Sequence, residues 1–248
     1  MKKPRILVCN DDGINGPGLR PLIAAMRRVG DVTVSVPAQE RSADSHSLTL
    51  HKPIRVHEVS PRVFTLNGKP ADCARLGILE LMKGRVDLVV SGINRGYNLG
   101  EDIVYSGTVA AAREATLLDL PAIAFSQDPQ SQDYRAAAAF AGKLARQALR
   151  RGIPKGICLS VNVPAGKGGR VGKPLVTRLG KRVYSKEVTV RRDPRGGEYF
   201  WLAGSNVTSV FEPYTDVDAI ARGHVSVTPL HIDVSDGPMI EQLKKWPL

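Results

Sequence analysis

Between residues 5 and 162 the chain alternates short apolar runs with longer amphipathic or alanine-rich stretches. The runs at Arg5 to Cys9, Val32 to Val36, Val86 to Val90, Ala122 to Phe125 and Ile157 to Val161 have the length of strands. The stretches between them predict helices. One runs from Pro17, a residue suited to a first turn, to about Val29, with Gly30 as its stop. Others run from Pro70 to Gly84, from about Gly107 to Leu118 and from about Asp133 to Arg150. β-like pieces at Ile54 to Val59 and Val63 to Leu66 precede the second helix, and Ser91 to Ser106 reads as a glycine- and asparagine-rich loop. Strands separated by helices imply an α/β fold, with a mostly parallel sheet between two helical layers.

After Pro164 the pattern changes. Gly166, Gly168, Gly169, Gly172 and Pro174 lead into alternating segments such as Arg182 to Val190 and Tyr199 to Leu202, which predict a C-terminal β-hairpin extension. A short helix to Arg222, with Thr215 placed to cap it, a strand at Val225 to Thr228 and a helical turn near Ile240 to Lys245 then return the chain toward the sheet. The expected organisation is a core at 1–164, a hairpin extension for oligomerisation at 165–210, and a return segment at 211–248 suited to exchange between subunits.

Composition narrows the class. At 248 residues, 42% hydrophobic and 24% charged, the chain can bury a sizeable core, and neither disorder nor a disulfide scaffold fits. Cys9, Cys73 and Cys158 are odd in number, lie in apolar runs and form no CxxC pair, so they read as buried thiols. No stretch approaches the roughly 20 apolar residues of a membrane span. The Lys2-Lys3 start precedes an apolar core too short for a signal peptide, so a cytoplasmic location is expected. The net charge of +11 favours anionic partners. It is concentrated: Ala165 to Arg195 holds ten basic residues against Glu187 and Asp193, a net +8.

Ligands of open α/β sheets bind beyond the carboxyl ends of the strands, so the turns there are where chemistry is expected. Asp11 and Asp12 follow the first strand directly. Adjacent carboxylates repel and are costly to desolvate, unless a cation compensates or they serve only as turn caps. The polar loop from Pro37 to Thr49 contributes the Ser42 hydroxyl, and it also carries His46. Asn94 offers a neutral oxygen, which completes an all-oxygen set of Asp11, Asp12, Ser42 and Asn94 suited to a hard divalent cation. Ser106-Gly107-Thr108 opens a helix, where a hydroxyl caps the first turn and the positive helix end makes a seat for phosphate. Gly13, Gly16 and Gly18 are spaced GxxGxG, not GxGxxG, and no GxxxxGK[ST], HExxH or GxSxG is present.

Taken together, NDDG, PAQERSADSHSLT, SGINRGYNLG and YSGTVAAAREA followed by LPAIAFS closely resemble the survival protein E (SurE) family of metal-dependent nucleotidases and acid phosphatases. The resemblance runs from residue 5 to about residue 127, and continues more weakly through VNVP at Val161 to Pro164 and VTPL at Val227 to Leu230. It implies a Rossmann-like fold and one divalent metal ion per subunit, Mg²⁺ or Mn²⁺, on Asp11, Asp12, Ser42 and Asn94. It also implies a phosphate site formed by Gly92, Asn98, Ser106, Gly107 and Thr108. The implied substrates are nucleoside 5′- and 3′-monophosphates, with polyphosphate for some members, and the implied assembly is a homodimer or homotetramer.

On this reading Asp11, Asn98 and Ser106 carry catalysis, by metal-assisted attack of water on a phosphomonoester. Asp11 serves as base or, alternatively, as a nucleophile forming an aspartyl phosphate. Phosphatases of the haloacid dehalogenase type take the covalent route with two aspartates one residue apart, whereas Asp11 and Asp12 are adjacent. A basic nucleic-acid-binding module without catalysis is the alternative from another class. Thirteen aromatic residues and no helix-turn-helix, zinc or RNP pattern give it little support, so nucleic acid is not expected as the main partner.

Overall fold

The computed structural model describes residues 3–166, 171–202 and 207–247. The chain runs β1 (Arg5–Cys9), α1 (Leu19–Arg27), β2 (Asp31–Pro37), β3 (Val56–Ser60), β4 (Val63–Leu66), α2 (Pro70–Leu76), β5 (Leu88–Arg95), α3 (Gly107–Leu117), β6 (Ala122–Gln127), α4 (Arg135–Arg151) and β7 (Ile157–Val163). It continues through β8 (Gly172–Val176), β9 (Lys181–Tyr184), β10 (Thr189–Arg192), β11 (Glu198–Trp201), β12 (Val207–Val210), α5 (Asp216–Ala221), β13 (His224–His231) and α6 (Gly237–Leu243).

Nine strands form the central sheet, in the order β3-β4-β2-β1-β5-β6-β7-β13-β8. Pairs from β4 to β7 are parallel, while β3 and β13 run antiparallel to β4 and β7. Alternation along β1 shows why helices cover both faces. Ile6 and Val8 pack with Leu22 and Met26 of α1 and Ala141 and Ala145 of α4, while Leu7 and Cys9 pack with Ala74 of α2 and Ala111 and Ala112 of α3. The fold is thus Rossmann-like, three-layered and mostly parallel. From β1 the chain moves to β2 on one side and later returns to β5 on the other, which places the switch in strand order at β1 and β5.

The bounds of β1 and β4 coincide with the runs read from sequence, and Ser106 and Thr215 cap α3 and α5 by accepting from the Val109 and Asp218 N–H groups. The three cysteines are free and buried. Other boundaries differ. The strand expected to stop at Val90 extends to Arg95: a bulge between Ser91 and Asn94 shifts the register, and pairing with β6 resumes at Asn94↔Ser126 and Arg95↔Gln127. The helix expected from Pro70 to Gly84 widens into a π-helical turn at Gly77–Leu81. Gly172–Val176, inside the glycine-rich stretch, is β8, an edge strand of the central sheet parallel to β13. The segment Arg182 to Val190 divides between two ribbons, β9 with β12 and β10 with β11. Lys167 and Arg170 of the basic segment lie outside the described residues.

Among the described residues no helix is long and apolar enough to cross a membrane.

Candidate active site

Asp11 and Asp12 leave β1 at the switch point. Asp11 is buried, and Thr108 at the start of α3 donates to it through both its hydroxyl and its backbone N–H. Glycine at 107 is what lets the helix come this close, because a Cβ there would lie 2.8 Å from the Asp11 Cβ and 2.9 Å from Pro70 Cγ. Burial pushes the Asp11 carboxyl up to about 6, against the lowering effect of the Thr108 hydrogen bond, and the neighbouring Asp12 charge raises it further. Asp12 is also raised, chiefly by burial and by Glu40, although the Arg95 backbone N–H and side-chain charge favour its ionised form.

The loop after β2 is pinned to the same place. Arg41 N–H donates to the Asp11 carbonyl at 2.8 Å and Ile14 N–H to the Pro37 carbonyl at 3.1 Å. Asp12 and Ser42 line one cavity of about 340 Å³, with Asn15, Gln39, Glu40 and Arg95 among its other walls. The Ser42 hydroxyl donates to Glu40 Oε1 at 2.7 Å. Asn94 turns its amide nitrogen to the Gly96 carbonyl at 3.0 Å, which leaves its Oδ1 for another partner. The structure therefore gathers Asp11, Asp12, Ser42, Gly107 and Thr108 around the end of β1, with Asn94 one residue before Arg95.

Ser106 caps α3, its Oγ accepting from Val109 N–H at 3.1 Å. Gly92 lies in the β5 bulge at φ +122, where a Cβ would collide with the Phe125 carbonyl of β6. Asn98 is deeper than a loop reading suggests. It donates to Ser126 Oγ at 2.7 Å, its N–H reaches Asn162 Oδ1 at 2.8 Å, and its carbonyl accepts from Asn162 Nδ2 at 3.0 Å. His46 is held by Glu114, with Nε2 2.9 Å from Oε2, and Arg75 donates to the other oxygen at 2.5 Å. Burial alone would raise the Glu114 carboxyl, but these two partners keep it below the usual range.

The residues that sequence reasoning passed over are Glu40, Arg95, Glu114, Ser126 and Asn162. Arg95 and Glu40 stood inside motifs already singled out, beside Asn94 and Ser42. Glu114 lies within the alanine-rich α3, and only its 1% exposure reveals a buried anchor.

The donor set at the end of β1 is rich in oxygen. Asp12 Oδ2 and Asn10 Oδ1 are buried without a hydrogen-bond partner, beside a second carboxylate. Among the described residues no three His, Cys, Asp or Glu side chains cluster as metal ligands, so a cation here would rest on two carboxylates completed by neutral oxygens. That all-oxygen set fits a hard divalent ion.

The description "Survival protein SurE" belongs to the family model that matches residues 6–186. The chain is 48% identical over 245 residues to the protein named 5′-nucleotidase SurE of Geobacter sulfurreducens, covering 98% of this chain and 94% of that protein. It is 46% identical over 246 residues to the protein of the same name from Citrifermentans bemidjiense, covering 98% and 99%. Among solved structures, the SurE protein from Aquifex aeolicus superposes with a TM-score of 0.86 at 36% identity, covering 97% of this chain and 98% of that one. A matched family model, near-complete relatives and a shared fold agree with the motifs at the switch point: this chain belongs to the SurE family.

Proposed function

We propose that this chain is a 5′-nucleotidase, a phosphoric monoester hydrolase that releases phosphate from nucleoside 5′- and 3′-monophosphates and also acts on polyphosphate, with one divalent cation per subunit. The observation that carries the reading is the adjacent carboxylate pair at the β1 switch point, with the buried Asp12 Oδ2 unpartnered and the buried Asp11 held against the start of α3. Its family membership supports the same reaction class.

Asp11, Asp12, Ser42 and Asn94 would hold the cation. Bound there, Mg²⁺ or Mn²⁺ supplies positive charge that polarises a phosphoryl oxygen and acidifies a water. The chain's own groups bind and orient the substrate. Phosphate sits at the amino end of α3, where the first N–H groups lack intrahelical partners and the helix dipole favours an anion. The Gly107 N–H and the Ser106 hydroxyl donate to its oxygens, and Asn98 and Gly92 border it from the β5 side. Thr108 fixes the Asp11 carboxylate, so that its other oxygen takes the proton of the attacking water. The cavity bounded by Asn15, Gln39, Glu40 and Arg95 leaves room beside Asp12 for the leaving nucleoside.

The assembly is a homodimer or homotetramer built through the C-terminal ribbons, and the protein works in the cytoplasm. Support for assembly comes from β10 and β11, which present Phe200 and Trp201 at 60% and 58% exposure.

The test is phosphate release from a panel of nucleoside monophosphates and polyphosphate, with Mg²⁺, Mn²⁺ or chelator, for the wild type and Asp12→Asn. Release that needs added cation and is lost in Asp12→Asn is expected. Full activity in chelator would overturn the metal assignment. Labelled phosphate trapped on the denatured protein would favour the aspartyl-phosphate route over direct attack by water.

A further inference from the structure

The short 3₁₀ turn at Gly100–Val104 lies between β5 and α3, and four separate segments meet on it. Its Asp102 carbonyl accepts from the N–H groups of Tyr105 at 3.0 Å and Ser106 at 3.1 Å, so the turn sets where α3 and its phosphate seat begin. The Ser42 loop hangs from the same turn: Ser45 N–H donates to the Tyr105 carbonyl at 3.1 Å, and Ser45 Oγ to the Val104 carbonyl at 2.6 Å.

The remaining contacts come from the C-terminal arm and from the return segment behind it. The Asp102 carboxylate accepts from the Arg182 guanidinium on one oxygen and from the Tyr184 hydroxyl on the other. Arg182 also stacks over the Tyr184 ring, 5.7 Å from its centroid, and its N–H donates to Glu101 Oε2 at 2.6 Å. From α5, the buried Asp216 carboxylate accepts from Gly100 N–H at 2.9 Å and Gly180 N–H at 2.7 Å. Arg182 and Asp102 keep only 22% and 10% of their side-chain surface exposed, so their pairing is poorly screened by water.

We infer that Asp102 is a positioning residue for this enzyme, and that Arg182 and Tyr184 make the C-terminal arm part of the support of the phosphate seat and the Ser42 loop. The inference rests on the nucleotidase reading for its kinetic effect, but the contacts stand without it. An arm whose ribbons are mostly exposed touches the core here through a charge-assisted pair and a hydroxyl. Removing either partner leaves a largely buried carboxylate short of a donor, and the turn then relaxes. The basic segment thus acts on catalysis through two specific side chains, beyond any general attraction of anions. A partner or second subunit that shifts β9 would shift the amino end of α3 with it.

The experiment uses the full-length protein carrying Asp102→Asn, Arg182→Ala, Arg182→Lys, Tyr184→Phe and the double variant Asp102→Asn/Arg182→Ala. Misplaced catalytic groups are expected to lower kcat by about ten- to a hundredfold in Asp102→Asn and Arg182→Ala, with KM changed by less than about threefold. The double variant should lose no more than the worse single one, because both break the same support, and Arg182→Lys should recover part of the loss. Amide hydrogen exchange across residues 99–108 and 43–47 should quicken in Arg182→Ala whether or not a substrate is known. Wild-type kcat in the folded variants, or losses that multiply in the double one, would overturn the proposal. If Asp102→Asn fails to fold, Tyr184→Phe decides, since it removes one hydroxyl, and unchanged kcat and exchange there would likewise sink it. A wild-type enzyme that releases no phosphate from any nucleotide would remove the nucleotidase reading, leaving hydrogen exchange to judge the positioning role.

Discussion

Strand β6 is buried along all six of its residues, from Ala122 to Gln127, whereas β10 and β11 expose every residue even though they carry Val190, Tyr199, Phe200 and Trp201. β10 also carries Arg191 and Arg192 and β11 begins with Glu198, yet Tyr199, Phe200 and Trp201 are larger apolar surfaces than most of β6, so apolar content alone does not decide burial. What separates them is the surface available to each. The inner strands are covered above and below by α1 to α4, and the alanines of α3 let that helix lie close on the sheet. The arm has only a two-stranded ribbon to offer, and an isolated hairpin is marginal by itself. Residues of the core should therefore govern the stability of one chain, while residues of the arm should govern assembly and, through Arg182 and Tyr184, the site.

The largest effect should arise where core and chemistry coincide. Asp12→Asn is expected to lower phosphate release on the order of 10³-fold, since it removes a charged oxygen from the proposed cation set. In chelator its thermal unfolding temperature should equal or exceed that of the wild type. The folded protein holds the Asp12 pKa above its usual value, so the ionised carboxylate is a destabilising group at neutral pH, and asparagine removes that cost. An unfolding temperature well below wild type would show that Asp12 is a structural cap instead.

Phe125→Ala should destabilise the chain by about 3–5 kcal/mol, the usual cost of emptying a fully buried phenylalanine site, as read from denaturant melts. Ser106→Ala tests the seat that the core presents. A drop in kcat of about 10²-fold marks a donor aimed at the transition state, whereas a loss of only about 1 kcal/mol in stability with kcat intact marks a helix cap.

The contrast sharpens at the arm. Phe200→Ser combined with Trp201→Ser should change the stability of a single chain by no more than about 0.5 kcal/mol, the range of exposed substitutions. It should nevertheless reduce the mass measured by light scattering. A melting shift comparable to that of Phe125→Ala, with the mass unchanged, would mean that the arm packs within one chain. The smallest effect concerns charge: salt should raise KM for nucleotides a few-fold while kcat stays constant, if the +8 arm gathers anions.

Local signals read well wherever a residue's role was settled by its immediate neighbours. From Ile6 to Cys9 the first strand has no polar side to expose, and Ser106 and Thr215 precede helices in the positions that cap them. The expectation that Ser91 to Arg95 is loop failed for a reason outside that segment. Serine, glycine and asparagine resemble a turn, but β6 supplies hydrogen bonds on the far side of the bulge and keeps them in the sheet. Gly172–Val176 joined the sheet in the same way, because β13 offered it an edge.

The chain's order of residues was sufficient for the α/β class and for setting Asp11 and Asp12 at the carboxyl edge of β1, and it is the source of the proposed oxygen set of Asp11, Asp12, Ser42 and Asn94. These follow from periodicity and from motifs a few residues long. Contacts between segments far apart along the chain were settled only by folding: Glu114 buried under His46 and Arg75, Asn98 tied to Asn162, and Asp102 held by Arg182 and Tyr184. A polar residue carries no local sign of whether it will be solvated or buried. Its partner is chosen by the path of the backbone, and the energy of the pair depends on how much water that path excludes.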